Sequence, residues 1–382
     1  MRILFTCIKA LSHFKPLVPF AKALQARGHD VRFAAIVEMA DEIAKQGFQH
    51  LVLDGPTDAT REKISERFAN VPAKQVGKLY VPEVFMGVLA KTAAPGLIKR
   101  LEDWRPDLIV REPTEFSGLI AAWKLGIRHV RLEILNGESE ESIATNYHRE
   151  IDALRLEVSL PATGPGYLKD ETAFSAHPQA LDDTPRVNTM PPIRYLAEPA
   201  PKPRASSDAE WMREGDPPLI YATFGTVAAG LDGTKGIYDI ALRAFADVPA
   251  KVLLTTGTDA PADLTSAAPP NVTVRPFVPQ ADVLPHARLM VNHGGSGTVI
   301  AGLAAGVPMV ITPMFADQPD NARCLEAAGL CVSVPDADVA SLRGAVIAAM
   351  ANDRMRARAK DAAKEISRMP DVDEAVDLLL AG

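Results

Sequence analysis

Between an apolar run and a helix-like pattern the chain carries VNHGGSGTVIAGLAAGVP, from Val291 to Pro308. RLMVN reads as a strand, HGGSG as a turn and TVIAGLAAG as the opening of a helix. The loop therefore lies at a strand end and a helix N-terminus, where free backbone N–H groups and the helix dipole favour an anion such as a phosphate. Gly294, Gly295 and Gly297 let the backbone approach closely, Ser296 and Thr298 add hydroxyl donors, and His293 adds an imidazole N–H. A tight turn can be glycine-rich for packing alone. With the histidine and both hydroxyls present, the loop suits a diphosphate. It is neither G-x-x-x-x-G-K-[ST] nor a G-x-G-x-x-G after the first strand, where CIKALSHFKP has no glycine, and this speaks against a P-loop ATPase and an NAD-binding dehydrogenase. Two D-x-D triplets, Asp336/Asp338 and Asp371/Asp373, sit in helix-start or C-terminal helix contexts and read as capping or solvated acids, so no metal is expected.

The elements that must hold such a loop follow from periodicity. ILFTCI reads as a buried strand, LVPFAKALQARG as a helix with Leu17, Phe20, Ala21 and Leu24 on one face, and VRFAAI as the next strand. Gly28 stands where a helix C-cap is expected. Strand, helix and strand joined by short connections make a βαβ unit, so the class is α/β with parallel sheets. RPDLIVREP followed by GLIAAWKLGI repeats the theme. From 196 to 218 the sequence LAEPAPKPRASSDAEWMREGDPP suits an extended linker. Beyond it LIYATFG, KVLLTT, NVTVRPF, RLMVN, PMVIT and LCVSV are strand candidates, with helices near Gly236 to Asp247 and starting near Gly297 and Asp317.

A length of 382 residues also suggests two domains. The expected division is 1–200, a linker at 201–217, and 218–382. Two such domains leave a cleft, and open parallel sheets bind ligands beyond the carboxyl ends of their strands. A hydrophobic fraction of 47% with 23% charged residues is that of a globular protein, and a net charge of −7 without a basic run argues against nucleic acid. Cys7, Cys324 and Cys331, odd in number and scattered, read as reduced thiols. No apolar segment of membrane-spanning length is expected, and with no leader-like N-terminus the expected location is the cytoplasm.

The stretch RPFVPQADVLPHARLMVNHGGSGTVIAGLAAGVPMVITPMFADQPDNA resembles the donor-binding signature of nucleotide-sugar-dependent family 1 glycosyltransferases of the GT-B fold. It is most similar to the bacterial branch that glycosylates natural products such as macrolides, enediynes and glycopeptides. The likeness is close over 272–334, clear at the N-terminus, and weak over 55–95 and 135–200. It implies two facing Rossmann-like domains, acceptor-binding and then nucleotide-sugar-binding, with the last helix packing back on the first. It further implies that His293 and Gly295, Ser296, Gly297 and Thr298 hold the donor diphosphate and that Phe277 stacks on the base beside Val278 and Gln280. Asp317 and Gln318 would bond sugar hydroxyls, and Thr226 would reach the phosphates. UDP-sugar users of the family commonly carry a glutamate eight residues after the loop histidine, to accept from ribose hydroxyls. Ala301 stands there, which suits a dTDP-sugar.

Transfer to a hydroxyl needs a base, and a neutral imidazole suits the task. His13, after the first strand in LSHFKP, matches the family's catalytic position, although Ser12 replaces the usual glycine. A carboxylate would fix its tautomer. Glu112 is the first candidate, where relatives often have aspartate, and Glu115 is the reserve; either could be a solvated loop acid. Phe85, Met86 and Phe116 could line an apolar acceptor pocket or belong to the core. The expected reaction is an inverting displacement from a dTDP-sugar onto a small hydrophobic aglycone, without cofactor or metal, by a monomer or homodimer. The alternatives are a UDP-sugar transferase, a nucleotide-sugar epimerase, and a non-catalytic partner that keeps the fold.

Overall fold

The computed structural model describes residues 1–71, 73–182, 184–196, 217–225, 236–257 and 264–381. The chain forms two compact units. The first comprises Met1–His177, Asp182–Glu198 and Pro370–Gly382, and the second Pro178–Leu181 and Pro199–Met369. The expected linker, apart from Pro217, lies outside the described residues.

In the first unit the strands are β1 (Arg2–Thr6), β2 (Asp30–Ile36), β3 (Gln49–Leu53), β4 (Leu108–Arg111), β5 (Arg128–Glu133), β6 (Ala173–Ser175) and β7 (Ile193–Arg194). Their order across the sheet is β3-β2-β1-β4-β5-β6-β7, every pair parallel. Strand direction of travel reverses between β1 and β4, and crevices open at such points beyond the strands' carboxyl ends. Thr6 is level with Arg111 there, so the loop after β1 and the loop after β4 start side by side.

The buried faces of β1 and β2 stack Phe5 on Phe33, with centroids 5.0 Å apart. Phe20 of the helix Val18–Ala26 packs edge-on to Phe174 and Tyr195 on the same side. Gly28 follows that helix at φ +82°, in the left-handed region glycine tolerates. The last helix, Val372–Ala381, buries Ala375, Val376 and Leu379 in this core, and Arg27 grips it through Asp373 (2.6 Å) and Asp377 (3.0 Å).

One expectation is corrected. Ala73–Tyr80, a π-helical stretch Val81–Ala90 and Lys91–Asp103 run on continuously, so the helix from Gln75 to Asp103 is long and apolar enough to cross a membrane by length and composition. The separate motifs hid its length, because Pro82 and Pro95 read as breaks. Val84, Ala90, Ala94, Leu97 and Leu101 on this helix are buried in the unit's core, where an apolar helix face also belongs.

In the second unit the strands are β8 (Leu219–Thr223), β9 (Lys251–Thr255), β10 (Val272–Arg275), β11 (Ala287–Asn292), β12 (Met309–Ile311) and β13 (Cys331–Ser333). The order β10-β9-β8-β11-β12-β13 is again wholly parallel. It reverses between β8 and β11, where Thr223 is level with Asn292. All three cysteines are buried thiols.

Candidate active site

In the first unit, the loop after β1 leads into a short helix, Leu11–Phe14, that carries His13. The loop after β4 carries Glu112, whose side chain is fully buried. His13 Nδ1 lies 3.2 Å from Glu112 Oε2, while the imidazole keeps 17% exposure. The extra methylene of glutamate is accommodated because the carboxylate is held from several sides. It accepts N–H bonds from Ile8 (3.3 Å) and Thr114 (2.7 Å) and the Thr114 hydroxyl at 2.9 and 3.0 Å. Burial pushes the Glu112 carboxyl up, but the neighbouring His13 and the bonds from His13 and Thr114 outweigh it and hold the carboxyl below its ordinary value. A buried carboxylate against a partly exposed imidazole is an arrangement that orients a general base.

Glu115, the reserve candidate, is otherwise engaged. It accepts the N–H groups of Ser117 and Gly118, both at 2.8 Å, and the Ser117 hydroxyl, so it caps the helix Ser117–Leu125. Burial, reinforced by the charge of Glu112, raises its carboxyl. A side chain at Gly118 would stand 2.6 Å from Thr6 Oγ1 and 2.8 Å from Glu115 Oε2, which leaves room only for glycine.

Beside these loops is a small pocket open to solvent. Ile36, Leu53, Phe85, Leu89, Ala93 and Phe116 give it an apolar wall, and Cys7, Lys9 and Thr114 edge it. Phe85 and Phe116 thus line it. Met86 does not: it is wholly buried in a cluster with Ala90, Phe116 and Leu119 and belongs to the core, while Phe85 at the edge of the same cluster stays partly exposed.

In the second unit, His293 and Gly294–Gly295 follow β11, and Ser296 opens the helix Ser296–Ala304, whose start no side chain caps. The imidazole fits only because two neighbours are glycine: a Cβ at Gly225 or Gly295 would stand 2.8 or 2.5 Å from its Nε2. Its Nδ1 is buried without a hydrogen-bond partner among the described residues. Burial depresses the ring to about 4, with Asp317 opposing weakly, so the imidazole is neutral near pH 7. Gly294 takes φ +87°, and the Asn292 side chain accepts its N–H at 2.7 Å.

Asp317 precedes the helix Gln318–Ala327 and ties the two helix starts together. It accepts the Ser296 hydroxyl at 2.5 Å and the Asn321 amide at 2.9 Å, while Asn321 also donates to the Gly294 carbonyl at 2.8 Å. Gln318 is buried, and its carbonyl end accepts the N–H groups of Met314 (2.8 Å) and Phe315 (3.1 Å). Gly297 is exposed, and Thr298 and Ala301 are half-buried on the helix. Phe277 is 69% exposed, which rules out a core role; Val278 beside it is half-buried and Gln280 opens the helix Gln280–Val283. Thr226 lies outside the described residues.

Three of the four D-x-D acids serve as caps or in ion pairs. Asp338 closes a capping box with Ser341, Asp371 accepts the Glu374 N–H, and Asp373 pairs with Arg27. Among the described residues no group of three or more His, Cys, Asp or Glu side chains could hold a metal ion. Sequence reading missed Thr114, Gly225, Asn292 and Asn321. Only Asn321 left a signal, since it falls one helical turn after Asp317.

With this geometry established, comparison with known proteins places the chain. Residues 185–359 match the UDP-glucoronosyl and UDP-glucosyl transferase family, and residues 22–163 match the erythromycin biosynthesis protein CIII-like N-terminal domain. The chain is 31% identical over 353 residues to a demethyllactenocin mycarosyltransferase of Streptomyces fradiae, covering 84% of this chain and 73% of that protein. It is 28% identical over 379 residues to an L-demethylnoviosyl transferase of Streptomyces niveus, covering 97% and 95%. Among solved structures, the glycosyltransferase SnogD of Streptomyces nogalater superposes with a TM-score of 0.76 at 25% identity, covering 100% of this chain and 99% of that one. The calicheamicin glycosyltransferase CalG4 shares the fold with a TM-score of 0.77 at 20% identity, covering 100% and 98%. The chain belongs to the family 1 glycosyltransferases of the GT-B fold, in their bacterial natural-product branch.

Proposed function

We propose that this glycosyltransferase moves a sugar, a deoxysugar by the analogy of its relatives, from a dTDP-sugar to a hydroxyl of a small hydrophobic aglycone, with inversion. The observation that carries the reading is the 3.2 Å contact between His13 Nδ1 and a buried, ionised Glu112, beside an apolar cavity. The acceptor oxygen attacks the anomeric carbon, its proton passes to His13 Nε2, and the bond to the nucleoside diphosphate breaks. The names demethyllactenocin mycarosyltransferase and tylactone mycaminosyltransferase among the relatives, each pairing an acceptor with the sugar moved, support a natural-product acceptor.

The leaving diphosphate gathers negative charge, and preorganised donors are the means of stabilising it. The uncapped start of Ser296–Ala304, the hydroxyl of Thr298 and the neutral imidazole of His293 are donors of that kind, and the unpartnered Nδ1 fits a ligand better than it fits an empty loop. In this reading the loop carries the charge without a divalent cation. Phe277 offers an exposed face for the base, and Ala301 offers a ribose no carboxylate, consistent with thymidine. In this reading Asp317, tied to Ser296, would bond the sugar hydroxyls.

Calorimetric titration with dTDP, UDP and ADP, with and without magnesium, tests the donor half. Tight, magnesium-independent binding of dTDP over UDP is expected, and a clear preference for UDP would transfer the reading to a UDP-sugar. Transfer from dTDP-sugars to a panel of apolar aglycones tests the other half. His13→Ala should abolish turnover while dTDP affinity stays within a fewfold, and a variant that still turns over would remove His13 as the base.

A further inference from the structure

Thr114 takes part in the His13–Glu112 contact, and neither the family signature nor the sequence spacing points to it. Its side chain is buried, its N–H donates to Glu112 Oε2 at 2.7 Å, and its hydroxyl lies 2.9 and 3.0 Å from the two carboxylate oxygens. The same hydroxyl oxygen is 3.2 Å from His13 Nδ1. We propose that Thr114 is a positioning residue that clamps Glu112 and, through its hydroxyl oxygen, holds the His13 imidazole as the Nδ1–H tautomer.

Each polar group around Nδ1 has a fixed number of hydrogens to donate and lone pairs to accept. An ionised carboxylate has no hydrogen to give, so the Thr114 hydroxyl must spend its one hydrogen on Glu112. Its oxygen is then left only the role of acceptor toward Nδ1. Glu112 Oε2, 3.2 Å from the same nitrogen, can likewise only accept. Both neighbours of Nδ1 therefore require it to carry the proton, which leaves the Nε2 lone pair free. That is the state a base needs, and it opposes the Nε2–H form that histidine favours in water. A glutamate has one more torsion than an aspartate, and the Thr114 N–H and hydroxyl remove that freedom from one side while the Ile8 N–H restrains it from the other.

The inference rests on the reading of His13 as the base, but its test needs no acceptor. The full chain, labelled with nitrogen-15 in histidine, gives two-bond proton–nitrogen spectra in which the tautomer is read directly. The His13 signals are assigned by their absence in His13→Ala. The wild type should show Nδ1–H. Thr114→Val, which fills the same space without the hydroxyl, should lose that single-tautomer signature and populate Nε2–H. Thr114→Ala should do the same, and Thr114→Ser should restore the wild-type pattern. A threonine that merely fills space would leave the tautomer unmoved in the valine variant, and that result overturns the proposal. So does a wild-type His13 found as Nε2–H. Turnover that survives in His13→Ala would instead overturn the base assignment, with the tautomer measurement still standing.

Discussion

His293 shows how burial sets the chemistry of a single side chain. Its ring lies between Gly225 and Gly295, half-buried at a strand end with Nδ1 shielded from water, and its folded value is about 4 against an ordinary 6.5. Above pH 6.5 the ring is neutral in both the folded and unfolded chains and contributes no pH dependence. Between 6.5 and 4 the unfolded chain binds a proton that the folded chain refuses, so stability falls as pH falls, by up to about 3 kcal/mol once pH 4 is passed. Urea titrations at pH 7 and pH 4.5 should show that loss in the second unit, and His293→Gln should reduce it. An equal loss in the variant would assign the dependence to other groups. At the same scale, Glu112 was a candidate from its place after a strand, but its usefulness depended on Thr114 and Ile8, whose bonds compensate for a side chain one methylene longer than an aspartate.

Among the elements, the start of Ser117–Leu125 illustrates why two neighbouring acids have different tasks. Glu112 follows β4 and turns toward His13, whereas Glu115 folds back over the first turn of the helix and accepts its free N–H groups. Removing a capping acceptor typically costs a helix about 1 kcal/mol, and more when buried donors lose their partner. Glu115→Ala should therefore destabilise the first unit by about 2 kcal/mol, read as a lowered midpoint in thermal unfolding. A midpoint within error of the wild type would show that water replaces the carboxylate. The spacing of Glu112 and Glu115 alone could not separate them, because the loop between them bends. The positions of β1, β2, β4, β8 and β11 were legible because each is a short apolar run bounded by turn residues. The continuous helix from Gln75 to Asp103 was not legible, since two prolines interrupt its pattern and a π-helical turn absorbs one of them.

Across the whole molecule, the chain leaves the first unit after Glu198 and, from there, returns to it at Pro370. The first core is thus closed by its own C-terminal helix, Val372–Ala381, and Leu379 is 1% exposed there. Truncating a buried leucine costs about 2 to 5 kcal/mol. Leu379→Ala should lower the unfolding transition of the first unit by an amount in that range while leaving nucleotide affinity unchanged, as calorimetry of both properties would reveal. A variant with an unshifted transition would mean that the helix is dispensable to that core.

Composition, periodicity and the HGGSGT loop by themselves determined an α/β chain with parallel sheets, an anion-favouring turn after one strand, and a histidine after another. Those properties are local: each depends on residues within a dozen positions of one another. Tertiary structure decided what depends on distant segments meeting. The strand orders place β1 beside β4 and β8 beside β11, so that residues about 100 positions apart, such as His13 and Thr114, come within 3.2 Å. They also decided that Met86 is core while Phe85 lines the cavity, that Phe277 is exposed, and that Asp317 joins two helix starts. No period in the sequence encodes those choices, because burial and hydrogen-bond partnership belong to the packed chain.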